Sequence, residues 1–262
     1  MYLTKEQIIQ LLERIVNFAD KNLKEITTLN IDVNNEYDSF FVGMIIRQYS
    51  IINDIKILFS SKQNGYLTSE LILFRCIVDD FIHIKFLVNQ QNPEEEITKF
   101  NSDAISKNLN KLAELAKLNE EKLGGNYPMY PTNKFIEELK EKIKQGPKRQ
   151  QYFIDKENFK LKTFKPTGNL IRDLEDNNYS HSLRRAYFIW RKLSDHVHYS
   201  NFSYEELLII DPTKDHTYTE FAEIIFYSYS LIIDCLNHFK TKYNLKIIDE
   251  NNLAEYYKDA GH

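Results

Sequence analysis

The stretch ELILFRCIVDDFIHIKFLVNQ, residues 70–90, is apolar on nearly every face of a helix. An element of that kind cannot lie on a surface. Other helices must surround it, which makes it the buried centre of a helical fold. The rest of the chain supplies those partners. Only 7 Gly and 6 Pro occur in 262 residues, too few for many short strands and tight turns. The fold class this predicts is all-α: a multi-helix bundle of long antiparallel helices, with an irregular insertion between its two halves.

Thr4 and Gln7 have the spacing of a capping box and open a first helix that runs to about Ile26. Asp38 is placed to cap a second helix, through residues 39–60. Thr68 or Ser69 opens the central third. Pro93, followed by Glu94, Glu95 and Glu96 in a first turn, starts a fourth that runs to about Asn119. From GGNYPMYP to FKPTG, residues 124–168, Gly, Pro and clustered charge break the pattern, apart from a short helix near 133–145. Helical period returns at Asn169, continues through SHSLRRAYFIWRKLSDHVHYS and residues 219–243, and ends in a small helix near 250–259. We expect one helical domain over 1–262, with N-terminal helices in 1–123, an insertion or lid in 124–168 and C-terminal helices in 169–262.

A hydrophobic content of 42% with 27% charged residues is that of a globular protein, not a disordered one. The net charge of −4 excludes a globally basic nucleic-acid binder, so any polyanion site must be a local patch. The start MYLTKEQIIQ lacks the pattern of an export signal, and no stretch approaches the ~20 apolar residues of a membrane span. A cytoplasmic protein is expected. Cys76 and Cys235 lie in apolar helical patterns and match neither a zinc spacing nor a disulfide framework. No Walker loop, dinucleotide Gly motif, Cys nucleophile site or hydrolase elbow is present.

Chemistry concentrates in two polar stripes. In RKLSDHVHYS, residues 191–200, a 100° step puts Leu183, Ala186, Ile189, Trp190, Leu193 and Val197 on one face, the core side. Tyr187, Arg191, Ser194 and His198 climb an adjoining stripe. Arg191 and His198 point within about 20° of each other, whereas Arg191 and His196 diverge by about 140°. On the third helix Arg75, Asp79 and His83 follow at i, i+4 spacings. Ionic groups on so apolar a helix must be paired or line a wet cleft, so the stripes are candidates to face one another. Asp79 would orient a histidine or pair with Arg75, while Arg184, Arg185, Arg191 and Lys192 supply local positive charge. The bland alternatives are structural pairs, Arg75 with Asp79 and Arg191 with Asp195.

The pieces FRCIVDDF (Arg75, Asp79) and LSDHVHYS (Ser194, His198, Ser200) resemble a family of bacterial helical proteins of unknown function. Its members pair an Arg-x-x-x-acid helix with a later LS-x-x-x-H-x-S helix end, and the likeness spans roughly residues 38–240. Asp79 stands where Glu is commoner in that family. More distantly, Arg191 and His198 resemble the Arg-x4–6-His signature of HEPN ribonucleases, helical proteins of toxin–antitoxin and phage-defence systems. Lys192 takes the place after the arginine where HEPN proteins often have Asn, Asp or His. The resemblance implies a homodimer in which two motif helices meet, RNA as substrate, and an antitoxin or other protein partner. The implied roles are catalysis by Arg191, His198 and Ser194, support by Arg75, Asp79, His83 and Tyr187, and RNA contacts by Arg184, Arg185 and Lys192. The chemistry needs no metal and no other cofactor: a histidine moves the 2′-hydroxyl proton and a fixed cation meets the charge building on phosphorus.

Two other classes compete. Asp80 with His83 and Asp195 with His198 are Asp-x-x-His pairs of the kind that hold two metal ions in helical bundles, with Glu220 or Glu223 as a further ligand. A non-catalytic ligand- or partner-binding protein would use the same Arg75, Asp79 and His198 cleft for recognition.

Overall fold

A computed structural model describes residues 3–32, 35–61, 68–177, 179–194, 215–249 and Leu253. The described helices are α1 (Lys5–Thr28), α2 (Glu36–Ser60), α3 (Thr68–Val88), α4 (Pro93–Lys122), α5 (Asn133–Gln145), α6 (Thr167–Arg172), α7 (Ser180–Ser194) and α8 (Asp215–Tyr243), with a 3-10 turn at Pro147–Tyr152. One two-stranded antiparallel hairpin, β1 (Phe153–Asp155) with β2 (Lys160–Leu161), accompanies them, so the fold is all-α as the periodicity required. The terminal helix expected near 250–259 falls outside the described residues except at Leu253.

Two compact units divide the chain, Met1–Val88 with Thr167–His262, and Asn89–Pro166. In the first, α3 is the centre, packed against α2, α7 and α8, while α1 covers α2 and α8. Leu71, Phe74, Ile77, Val78, Phe81, Ile82, Ile84 and Leu87 are each at most 2% exposed, and they spread over an arc of roughly 220° around the helix, which leaves Arg75, Asp79 and His83 on the remaining face. Each such apolar side chain contributes roughly 1.5–3 kcal/mol by leaving water. Ring contacts fix the packing: Phe81 stacks on Tyr227 of α8 at 4.4 Å, and Phe74 on Phe221 at 4.7 Å.

The second unit begins at α4, because the apolar stripe of that helix (Leu109, Ala116) packs with Ile136 and Ile143 of α5, Tyr152 and Leu161. The Ser102 hydroxyl lies 2.9 Å from both the Tyr152 and Lys162 carbonyls and ties the hairpin to α4. Gly124 and Gly125 take φ of 63° and 70°, the left-handed turn that stops α4, as the GG pair suggested.

Caps follow the sequence with one instructive exception. Thr4 and Gln7 form both bonds of the capping box, and Asn92 caps α4 ahead of Pro93. At α2, however, the cap is Asn35, whose side chain accepts from the Tyr37 and Asp38 amides. The Asp38 carboxylate, fully buried, instead meets His238 at 2.6 Å, Lys242 at 2.9 Å and Tyr243 at 2.6 Å on α8. A charge so buried is stable only with such partners, and here they pin α2 to α8. Burial pushes this carboxyl up, but the bonds from Tyr243, His238 and Lys242 outweigh it and hold the group below the usual range.

Candidate functional site

The two stripes meet. Arg75 Nε donates to Ser194 Oγ at 3.1 Å, and Trp190 Nε1 donates to Asp79 Oδ1 at 2.8 Å. A step of four up α3 matches a step of four down α7, so the helices run antiparallel and the seam is in register. The i, i+4 spacing on both helices produces this alignment, because it places each set along one line.

Trp190 is the hub. The Arg75 guanidinium lies 4.7 Å over its ring, and Tyr187 stacks against it at 5.6 Å with 14° between the planes. Ser194 donates its own proton to the Trp190 carbonyl at 2.7 Å, which leaves its oxygen to accept from Arg75. At the lower end His83 Nδ1 is 3.9 Å from Asp79 Oδ2, and His83 Nε2 is 3.3 Å from the Thr167 hydroxyl of α6. Gly168 leaves room for the Tyr187 hydroxyl, which a Cβ there would approach to 3.1 Å. Arg75, Asp79, His83, Thr167, Tyr187, Trp190 and Ser194 are all partly buried.

Asp79 does not pair with Arg75. It accepts from the indole instead, so the structural ion pair that would have explained both residues is not formed. Arg191 is exposed beside the seam and makes no hydrogen bond or ion pair among the described residues. Arg184 is engaged by Asp176, Arg185 is held bidentately by Glu223 at 3.0 and 2.9 Å, and Lys192 reaches Glu220 at 3.2 Å. His198, with Asp195, His196 and Ser200, lies outside the described residues.

Asp80 and His83, expected together in the two-metal alternative, are divided. Asp80 Oδ2 accepts from Arg47 Nε and Gln48 Nε2 of α2, both at 2.7 Å, whereas His83 faces Asp79 and Thr167. Burial pushes the Asp80 carboxyl up to about 6 in spite of the Arg47 charge. Glu220 and Glu223 are engaged by Lys192 and Arg185, and among the described residues no group of three His, Cys, Asp or Glu side chains converges. Cys76 is partly buried and Cys235 buried, both free.

Sequence reasoning placed Trp190 on the core face and missed its N–H. An available signal was that a carboxylate on an apolar helix needs a donor, and the chain's single Trp is four residues from Ser194. The Asp38 cluster was missed too, although His238 and Lys242 form an i, i+4 donor stripe on the apolar α8.

Fold and seam together define an all-α protein with a polar, arginine-bearing contact across two core helices. The chain belongs to the family of unknown function DUF5677, which it matches over residues 38–217, a span holding both stripes up to Ser200. No curated protein and no solved structure matches it. No described helix is long and apolar enough to cross a membrane.

Proposed function

We propose that the protein is a HEPN-like, metal-independent endoribonuclease of a toxin–antitoxin or phage-defence type system, acting in the cytoplasm as a homodimer under a protein partner or antitoxin. The observation that carries this is the Arg75–Ser194 bond, which brings stripes 119 residues apart into one seam, beside Arg191, which has no hydrogen-bond or ion-pair partner among the described residues. In the reaction His198 takes the 2′-hydroxyl proton of RNA as that oxygen bonds to phosphorus. The 5′-oxygen leaves and receives a proton, giving a cyclic phosphate, and Arg191 meets the charge on the phosphoryl oxygens. The part given to His198 rests on its seven-residue spacing from Arg191.

A non-catalytic binding protein is the second reading. It is favoured by the carboxylates on Arg184, Arg185 and Lys192, which cancel the local positive charge expected to hold RNA. The deciding experiment is cleavage of mixed single-stranded and folded RNAs in excess chelator by wild type, His198→Ala and His196→Ala. Activity lost only in His198→Ala supports the nuclease. Intact RNA in every reaction with folded wild-type protein moves the assignment to binding.

A further inference from the structure

We propose that Arg75 is an anion-binding residue, whose two Nη nitrogens form a fixed fork for the oxygens of a phosphate group at the α3–α7 seam. The seam proposed above as the functional site is presumed here, but the binding requires no cleavage.

Three observations support the assignment. First, the guanidinium is held from two sides, by the Trp190 ring at 4.7 Å and by the Nε bond to Ser194 at 3.1 Å. Its plane is therefore set before any ligand arrives, and little rotamer freedom remains to be lost on binding. Second, the Nη nitrogens make no hydrogen bond or ion pair among the described residues, although Arg75 is partly buried. Among the described residues no carboxylate pairs with this partly buried cation, an unfavourable arrangement that an anion relieves. Third, Arg75 and Arg191 differ from the other arginines and lysines of α3 and α7 in having no carboxylate partner among the described residues. Lys85 has Asp234, Arg184 has Asp176, Arg185 has Glu223 and Lys192 has Glu220. Asp79, the nearest acid along α3, has one oxygen on the indole and the other 3.9 Å from His83. Planar, bidentate donors suit phosphate oxygens, and a guanidinium keeps its charge at every physiological pH.

On this account Ser194 is a positioning residue. Its proton is committed to the Trp190 carbonyl, and its oxygen orients Arg75. The phosphate belongs either to a nucleic-acid backbone or to a free phosphate, and the two are separable by experiment.

Trp190, the chain's single tryptophan, lies against the guanidinium and reports on it. The test titrates full-length wild type and His198→Ala with inorganic phosphate, and separately with a 2′-deoxy dinucleotide that cannot be cleaved through a 2′-hydroxyl. Trp190 fluorescence and calorimetry are the readouts, with chloride at matched ionic strength as control. Saturable binding is expected in both proteins and not with chloride. Affinity should fall about tenfold to a hundredfold in Arg75→Gln, without rescue by Arg75→Lys, which lacks the fork. Ser194→Ala, which keeps the charge but frees its orientation, should weaken binding by about threefold to tenfold, and it decides the matter if Arg75→Gln does not fold. Tighter dinucleotide binding identifies a nucleic-acid phosphodiester, and tighter inorganic phosphate a free ion. No saturable binding of either probe by wild type overturns the proposal, as does unchanged affinity in folded Arg75→Gln or in Ser194→Ala. Phosphate binding by a protein that never cleaves RNA overturns the nuclease and leaves this assignment standing.

Discussion

Asp80→Asn removes a buried charge and keeps the side chain's shape. The carboxylate it replaces is 12% exposed and accepts from Arg47 and Gln48 at one oxygen, and burial raises its pKa from 3.8 to about 6. A raised folded-state value means that the folded protein holds the proton more tightly than the unfolded chain. The resulting stabilisation is fully present below 3.8 and is lost as pH rises through about 6. A shift of roughly 2 units corresponds to about 3 kcal/mol in all, of which about 2 kcal/mol falls between about pH 4.5 and 7.5. Asn does not titrate. The stability of wild type relative to Asp80→Asn should therefore fall by about 2 kcal/mol from the acid to the neutral end of that range. Urea unfolding followed by Trp190 emission, which reports the unit containing α3 and α7, measures the difference at each pH. A difference that is flat with pH, or that grows in favour of wild type toward neutrality, would refute the burial argument.

Trp190→Phe keeps a ring for Arg75 and Tyr187 but strands Asp79 Oδ1 without its donor. Thermal unfolding by circular dichroism should show a loss of about 1–3 kcal/mol, and an unchanged midpoint would mean that the indole bond contributes nothing. Asp38→Ala leaves Lys242 and His238 without their shared carboxylate and should cost about 3–5 kcal/mol. Because the Asp38 pKa is lowered in the fold, the advantage of wild type over Asp38→Asn is present above 3.8 and should shrink as pH falls through the folded value. In the RNA assay, Arg191→Ala should reduce cleavage by at least about a hundredfold, and Arg185→Ala by less than about threefold, because Glu223 already occupies that guanidinium. The reverse order would remove Arg191 from the reaction.

Much of the fold could be read directly from the chain. Helical period, the Thr4 capping box, Pro93 at the start of α4 and the limits of α5 depend on local backbone chemistry, and the observed helices follow them. The third helix, apolar nearly all round, had one physical solution, the centre of the bundle, and it occupies that place. The co-facial lines Arg75–Asp79–His83 and Tyr187–Ser194 were legible too, since a fixed 3.6-residue turn sets direction.

Partners were not legible, because a helical wheel gives a direction without a neighbour. Asp38 had the position of a cap, yet Asn35 caps α2, and only the approach of α8 explains a buried carboxylate there. Asp79 had Arg75 one turn away, yet the antiparallel register against α7 delivered the Trp190 N–H. The arginines and lysine of α7 carried the same charge in sequence, and the tertiary structure sorted them: Asp176, Glu223 and Glu220 neutralise three, while Arg191 is left exposed. Sequence by itself determined which residues are helical and which way they point. Tertiary structure alone decided which charges are cancelled, because electrostatic and hydrogen-bond energies depend on distances of a few ångströms between segments that sequence places a hundred residues apart.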